Sequence, residues 1–279
     1  MVRLREFPNK VFSTKDHAFE ALANNKDRLI SLKCSQVYKS IDKLDGFSTL
    51  PFMDVDKVNG AIKTDWVSPD NLYPIINTTK YYDSHGDVHF DGIWSRSIKA
   101  NVGKLYYVES HSLKIADIIA WPESVKAFTK EIPWSLVGKN YEGNTEALIY
   151  EIPKEAIAHT GANKVIREKR EMQNSVRMQY VKIKLALNSE SDDWKEEKAL
   201  YDERFDMIAN KDVVAEDGYF WAVDEAKIFK EGSMVIAGSN DATATIYGET
   251  ANGTSPKSEP SNDTRFSVSD AIQKVKFNF

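Results

Sequence analysis

Apolar and polar positions alternate along residues 181–187: Val181, Ile183, Leu185 and Leu187 are apolar, with Lys182 and Lys184 between them. A period of two predicts a half-buried strand. Carried back without a break through NSVRMQYVKI (174–183), the same parity puts Ser175, Arg177 and Gln179 on the inward face. Three polar side chains on a buried face leave two readings. Either the strand starts late and Ser175 belongs to a turn, or Ser175 lines a cleft.

Helical spacing is concentrated in two places. Phe19, Leu22 and Ala23, then Leu29 and Ile30, predict helix over 13–33, opened by the capping-box pattern STKD, with Ser13 as cap and Asp16 reaching back. Trp194, Tyr201, Phe205 and Ile208 predict a second helical region over 192–210. ANKVIREKREMQN (162–174) is charged with few apolar anchors and reads as a surface helix or a loop. Residues 73–110 read mainly as β, as do TEALIYEIP (145–153), GYFWAVDEAKIF and SMVIAG, the last two as separate strands. Many short strands with helices at the margins predict an α+β chain, a mostly antiparallel β-barrel with peripheral helices.

The pattern stops near residue 248. ETANGTSPKSEPSNDT has no large apolar residue and cannot bury enough surface to fold. RFSVSDAIQKVKFNF follows, with Ile272, Val275 and Phe279 at helical spacing. The organisation expected is a helical leader (1–50), a β-barrel domain (51–248), a flexible linker (249–264) and a docking peptide (265–279).

Composition narrows the function classes. The 279 residues are 42% hydrophobic and 28% charged with a net charge of -5, so a folded domain without direct nucleic-acid binding is expected. Cys34 is the single cysteine; it suits a reducing compartment. MVRLREFPNK lacks the apolar centre of a secretory signal, and no run reaches the ~18 apolar residues of a membrane span. No GxGxxG or Walker pattern occurs, and no cofactor is expected.

Four stretches carry candidate chemistry. In DSHGDVHFD, Asp83, His85, Asp87, His89 and Asp91 occupy every second position. On a regular strand they would share one face and could hold a metal for a hydrolase; with Gly86 in their midst they also read as a polar strand face entering a turn. His111, just past the apolar strand of YYVESHSLKI, is placed for general base work and equally reads as an exposed loop residue. Ser175 could be a nucleophile, although no GxSxG elbow surrounds it. Glu231, before Gly232, could orient an imidazole or sit in a turn.

Taken in order, these stretches resemble the prohead (capsid maturation) serine proteases of tailed bacteriophages, whose fold is that of herpesvirus assemblin. YYDSHGDVHFDGIW is similar to the family's early D-x-x-G-D segment. YYVESHSLKIADII resembles the strand that delivers its histidine, and NSVRMQYVKI the segment that carries its serine. EAKIFKEGSMVIAGSNDATATI resembles the stretch that closes its domain. The likeness spans residues 73–246. It implies His111 as base, Ser175 as nucleophile and Glu231 as third member. The enzyme implied is an endopeptidase that cuts scaffold and major capsid protein, self-associates, and works inside the prohead in the host cytoplasm. Two positions depart from the family: Arg177 stands where it has glycine, and Asn240-Asp241 where it has asparagine-proline. Arg177 leaves open an inactive, capsid-associated structural protein of the same fold.

Overall fold

The structure, a computed structural model, describes residues 1–38, 53–54, 66–170 and 172–247. The expected linker and docking peptide, and the end of the leader, lie outside the described residues. The chain opens with a small antiparallel pair, β1 (Val2–Arg3) and β2 (Val11–Phe12). Two helices follow, α1 (Lys15–Asn24) and α2 (Lys26–Ser35). The cap falls one residue later than the sequence pattern suggests: Thr14 is extended and its side chain accepts from His17 N–H at 3.2 Å. Ser13 Oγ instead meets His17 Nδ1 at 2.7 Å. Leu4, Phe12, Phe19, Leu22 and Leu29 are buried in the same apolar cluster as the main strands, so the leader completes the core.

Two five-stranded sheets form the body. The remaining strands are β3 (Met53–Asp54), β4 (Asn71–Thr78), β5 (Asp87–His89), β6 (Tyr106–Glu109), β7 (Ile118–Ala120), β8 (Lys126–Pro133), β9 (Asn144–Pro153), β10 (Gln173–Leu187), β11 (Tyr219–Val235) and β12 (Thr245–Tyr247). One sheet runs β10-β11-β6-β7, with β5 also on β11; the other runs β3-β12-β4-β9-β8. Pairing is mostly antiparallel, but β11 runs parallel to β5 and β6, and β12 to β3. The chain is therefore α+β, as expected. It is not a closed barrel: each sheet's strand order is open, and no ladder joins one sheet to the other among the described residues. The sheets instead face each other. Ile76, Leu148 and Tyr150 of one meet Tyr107, Val176, Met178 and Met234 of the other in a shared core.

Four further helices are described: α3 (Ser95–Ala100), inside a region the sequence reads as β, then α4 (Thr160–Arg167), α5 (Lys195–Arg204) and α6 (Lys211–Asp217). α4 answers the question left over 162–174. The two strands expected at GYFWAVDEAKIF and SMVIAG are one, β11, which ends at Val235 and pairs with β10 along nearly its whole length. No helix among the described residues is long and apolar enough to cross a membrane.

β10 changes face midway. Val176, Met178 and Tyr180 point into the core in its first half, Ile183, Leu185 and Leu187 in its second, while Val181 is 47% exposed. The ladder to β11 is irregular between Tyr180 and Ile183. A one-residue slip in a period of two exchanges the faces. The parity carried back from Val181 is therefore reversed at Ser175. Ser175, Arg177 and Gln179 lie on the face away from the inter-sheet core, which removes the puzzle of three polar residues turned inward.

Candidate active site

β6 ends at Glu109, and the chain then turns sharply. Ser110 and His111 have φ of 49° and 56°, the left-handed region that costs a residue with a Cβ about 1 kcal/mol or more and recurs at functional sites. Three bonds hold the turn. Ser110 N–H donates to Met234 O (2.9 Å), His111 N–H to Ser233 Oγ (2.8 Å), and Ser112 N–H to Glu109 O (2.9 Å). Ser233 Oγ in turn donates to the Val108 carbonyl at 3.1 Å. The expected solvent-facing loop histidine is in fact 4% exposed.

Glu231 arrives by a second irregularity. β10 and β11 pair at Val176↔Gly232 and next at Met178↔Ile228. Three residues, Phe229 to Glu231, thus oppose the single Arg177. Lys230, within this bulge, has φ of 74°. Bulges bend a strand and re-aim its side chains. Glu231 is fully buried, and its Oε1 lies 2.9 Å from His111 Nδ1. A carboxylate at Nδ1 requires a proton there, so in the neutral ring Nε2 carries the lone pair. Nε2 is buried and has no hydrogen-bond partner. Among the five histidines, His111 alone joins a buried carboxylate at one nitrogen to a buried, unpartnered second nitrogen.

Ser175 stands directly across the ladder from Ser233. Directly paired residues share a face with Cβ atoms roughly 5 Å apart, so Ser175 is one strand from the hydroxyl that holds the His111 backbone. It is 7% exposed. The three residues picked from separate stretches are thus gathered on neighbouring strands β10, β11 and the end of β6. The Ser175 Oγ–His111 Nε2 hydrogen bond is not made, since Nε2 has no partner. Such contacts are often loose until substrate closes the site.

Three neighbours were not legible in the sequence. Ser233 is the first; its parity with Glu231 was the signal available. Tyr150, on β9 across the core, packs its ring at the backbone of Gly232: a Cβ there would sit 2.8 Å from Tyr150 Cε2. Its hydroxyl is buried without a partner, and burial, then the Glu231 charge, holds the phenol well above its usual range. The third is Phe229, whose ring lies 5.6 Å from the Arg177 guanidinium.

The acidic and histidine ladder does not form a metal shell. β5 covers only Asp87–His89, because Gly86 turns the chain at φ 79°. Asp83 Oδ1 accepts from the His85 and Asp87 amides (2.9 and 3.0 Å). Asp87 takes Lys33 Nζ (2.6 Å) and Tyr180 OH (2.7 Å), and His89 Nδ1 faces Asn77 Oδ1 at 3.1 Å. No three His, Cys, Asp or Glu side chains converge to hold a metal among the described residues. The metal-hydrolase alternative loses its site because the turn and the ion pair consume its ligands.

No family model matches the chain, and neither a curated protein nor a solved structure is found to match it.

Proposed function

We propose that this chain is a serine endopeptidase of the prohead maturation type, acting through Ser175, His111 and Glu231. The observation that carries the reading is the buried His111–Glu231 bond, 2.9 Å at Nδ1, with Nε2 left unpartnered and with Ser175 paired across the ladder with Ser233, whose hydroxyl accepts from the His111 amide. Ser175 Oγ attacks the scissile carbonyl while His111 Nε2 takes its proton; His111 then returns that proton to the leaving amine, and a water repeats the sequence on the acyl-enzyme. Glu231 holds the tautomer and stabilises the imidazolium. The substrates are scaffold and major capsid protein segments, cut inside an assembling prohead in the host cytoplasm, with the protease self-associated. An assemblin-like arrangement of the two facing sheets belongs to the same reading.

A second reading, an inactive capsid-associated structural protein, is favoured by Arg177, whose guanidinium stands on the Ser175 face where the resembled family has glycine. One experiment separates them. The wild-type chain is expected to cut its cognate capsid or scaffold protein and to be labelled at Ser175 by a fluorophosphonate. Ser175→Ala is expected to lose about 10⁶ in rate, the scale seen for triad nucleophiles, with the thermal midpoint within a few degrees. A wild-type chain that neither cuts nor labels leaves the structural reading.

A further inference from the structure

Ser175 and His111 belong to strands that are not paired with each other. β10 carries the serine, β6 leads to the histidine, and β11 lies between them. The ladder beside Ser175 is interrupted by the bulge at Phe229–Glu231, and a bulged ladder bends. Pairing through β11 therefore does not by itself fix how far the serine stands from the imidazole. That separation matters, because a misplacement of about 1 Å can cost on the order of 10²-fold in rate.

A direct link crosses β11 on its core side. Tyr107 of β6 is buried and stands beside Gly232 in the ladder, and its hydroxyl donates to Asn174 Oδ1 at 2.7 Å. Asn174 immediately precedes Ser175. It is held from the other side as well. Its Nδ2 donates to Ala244 O (2.9 Å) and Thr245 Oγ1 (3.1 Å). Its backbone N–H donates to Thr243 Oγ1 (3.1 Å), which in turn donates to the Asn174 carbonyl (3.2 Å). Thr245 opens β12 of the second sheet. One buried amide, with its oxygen and nitrogen both matched, thus ties the residue before the serine to β6 and to the facing sheet. Fully matched buried networks of this kind hold one arrangement against its alternatives.

We infer that Asn174, through the bond it accepts from Tyr107, is the positioning residue that sets the separation of Ser175 and His111. The inference rests on the protease reading and adds to it the residue that keeps nucleophile and base in register from behind the sheet.

The test reads proximity and not proteolysis. In a full chain carrying Cys34→Ser and Ser175→Cys, the introduced thiol is titrated by its thiolate absorbance, read against the Cys34→Ser chain. A thiol beside an imidazole ionises below its ordinary value of about 8.5, so a midpoint under about 7.5 is expected. Tyr107→Phe keeps the ring and removes only the bond to Asn174; added to that chain, it is expected to raise the midpoint by about one unit, as the thiolate loses its imidazolium partner. Asn174→Ala is expected to do the same, and Tyr107→Phe, which opens no cavity, decides alone if Asn174→Ala does not fold. Thr245→Val removes a different bond to Asn174 and leaves the one from Tyr107, so the midpoint is expected to stay low. A low midpoint in Tyr107→Phe overturns the inference and leaves the protease reading standing. An equal rise in Thr245→Val overturns it too, because any loosening of the core would then suffice. A midpoint of about 8.5 before either change means that His111 does not reach residue 175, and overturns the protease reading and the inference together.

Discussion

At the scale of the residue, the site rests on a proton held at one atom. On the proposed protease reading, Glu231 fixes the His111 proton on Nδ1, so Glu231→Gln, which presents an amide in place of a carboxylate, is expected to lower kcat by about 10⁴-fold, as loss of the acid does in well-studied triads. The expected KM is nearly unchanged; a loss confined to KM would remove Glu231 from the mechanism. Two other buried groups govern pH dependence, and they oppose each other. Burial holds His89 down to about 4, so between there and its usual 6.5 the unfolded chain binds more protons. Stability rises with pH across that window and is lost as pH falls through 4. Asp83 is held up to about 6 by burial and Asp87. Its contribution is full below 3.8 and is lost as pH rises through 6. The two contributions offset each other between pH 4 and 6 in the wild-type chain. His89→Gln is expected to become less stable as pH rises there, and Asp83→Asn more stable. Urea midpoints at half-unit steps check this, and parallel curves for all three chains would contradict it.

At the scale of the element, small positions decide whether a helix or strand forms where it does. Thr14, extended and bonded to His17 N–H, is the cap of α1. Thr14→Ala is expected to cost about 1 kcal/mol, and Ser13→Ala clearly less; equal losses would return the cap to Ser13. Gly218 ends α6 with φ of 75°, and a Cβ there would lie 2.7 Å from Lys15 Cε and 2.9 Å from Phe19 Cζ. Lysine can move aside, but Phe19 is buried. Gly218→Ala adds backbone strain to that contact and is expected to cost about 2 kcal/mol, read from urea unfolding. The strand irregularities work in the same way. The slip after Tyr180 turns Ser175 out of the core, and the bulge at Phe229–Glu231 aims a carboxylate at His111.

At the scale of the whole molecule, core continuity sets which parts can be removed. Residues 1–38 contribute Leu4, Phe12, Phe19, Leu22 and Leu29 to the inter-sheet core. A chain starting at residue 39 uncovers that apolar surface and is expected to be insoluble or unfolded by circular dichroism. At the other end, β12 supplies Ile246, fully buried against Tyr73 of β4. A chain ending at Gly248 is expected to melt within about 2 °C of the full chain. A larger drop would mean that the later residues belong to the fold.

The sequence by itself determined the α+β class, the helices over 13–33 and 192–210, and the strand over 145–153. These are local periodicities, and burial of one face stabilises them wherever the chain runs. It also singled out His111, Ser175 and Glu231 as candidates, each by a residue type that can take a proton, attack or orient an imidazole, and as a set through the family resemblance. It did not determine the facing of Ser175. That depends on a slip in a ladder with a partner strand some fifty residues away, and alternation within one strand carries no record of its partner's register. The same holds for the metal ladder: five polar residues at even spacing look like one face until a left-handed glycine turns the chain and a lysine from α2 claims the central carboxylate. Tyr150 and Ser233 joined the site only through packing between strands distant in sequence. Long-range pairing decided which hydroxyls and carboxylates meet, because hydrogen-bond partners are chosen by three-dimensional proximity and not by spacing along the chain.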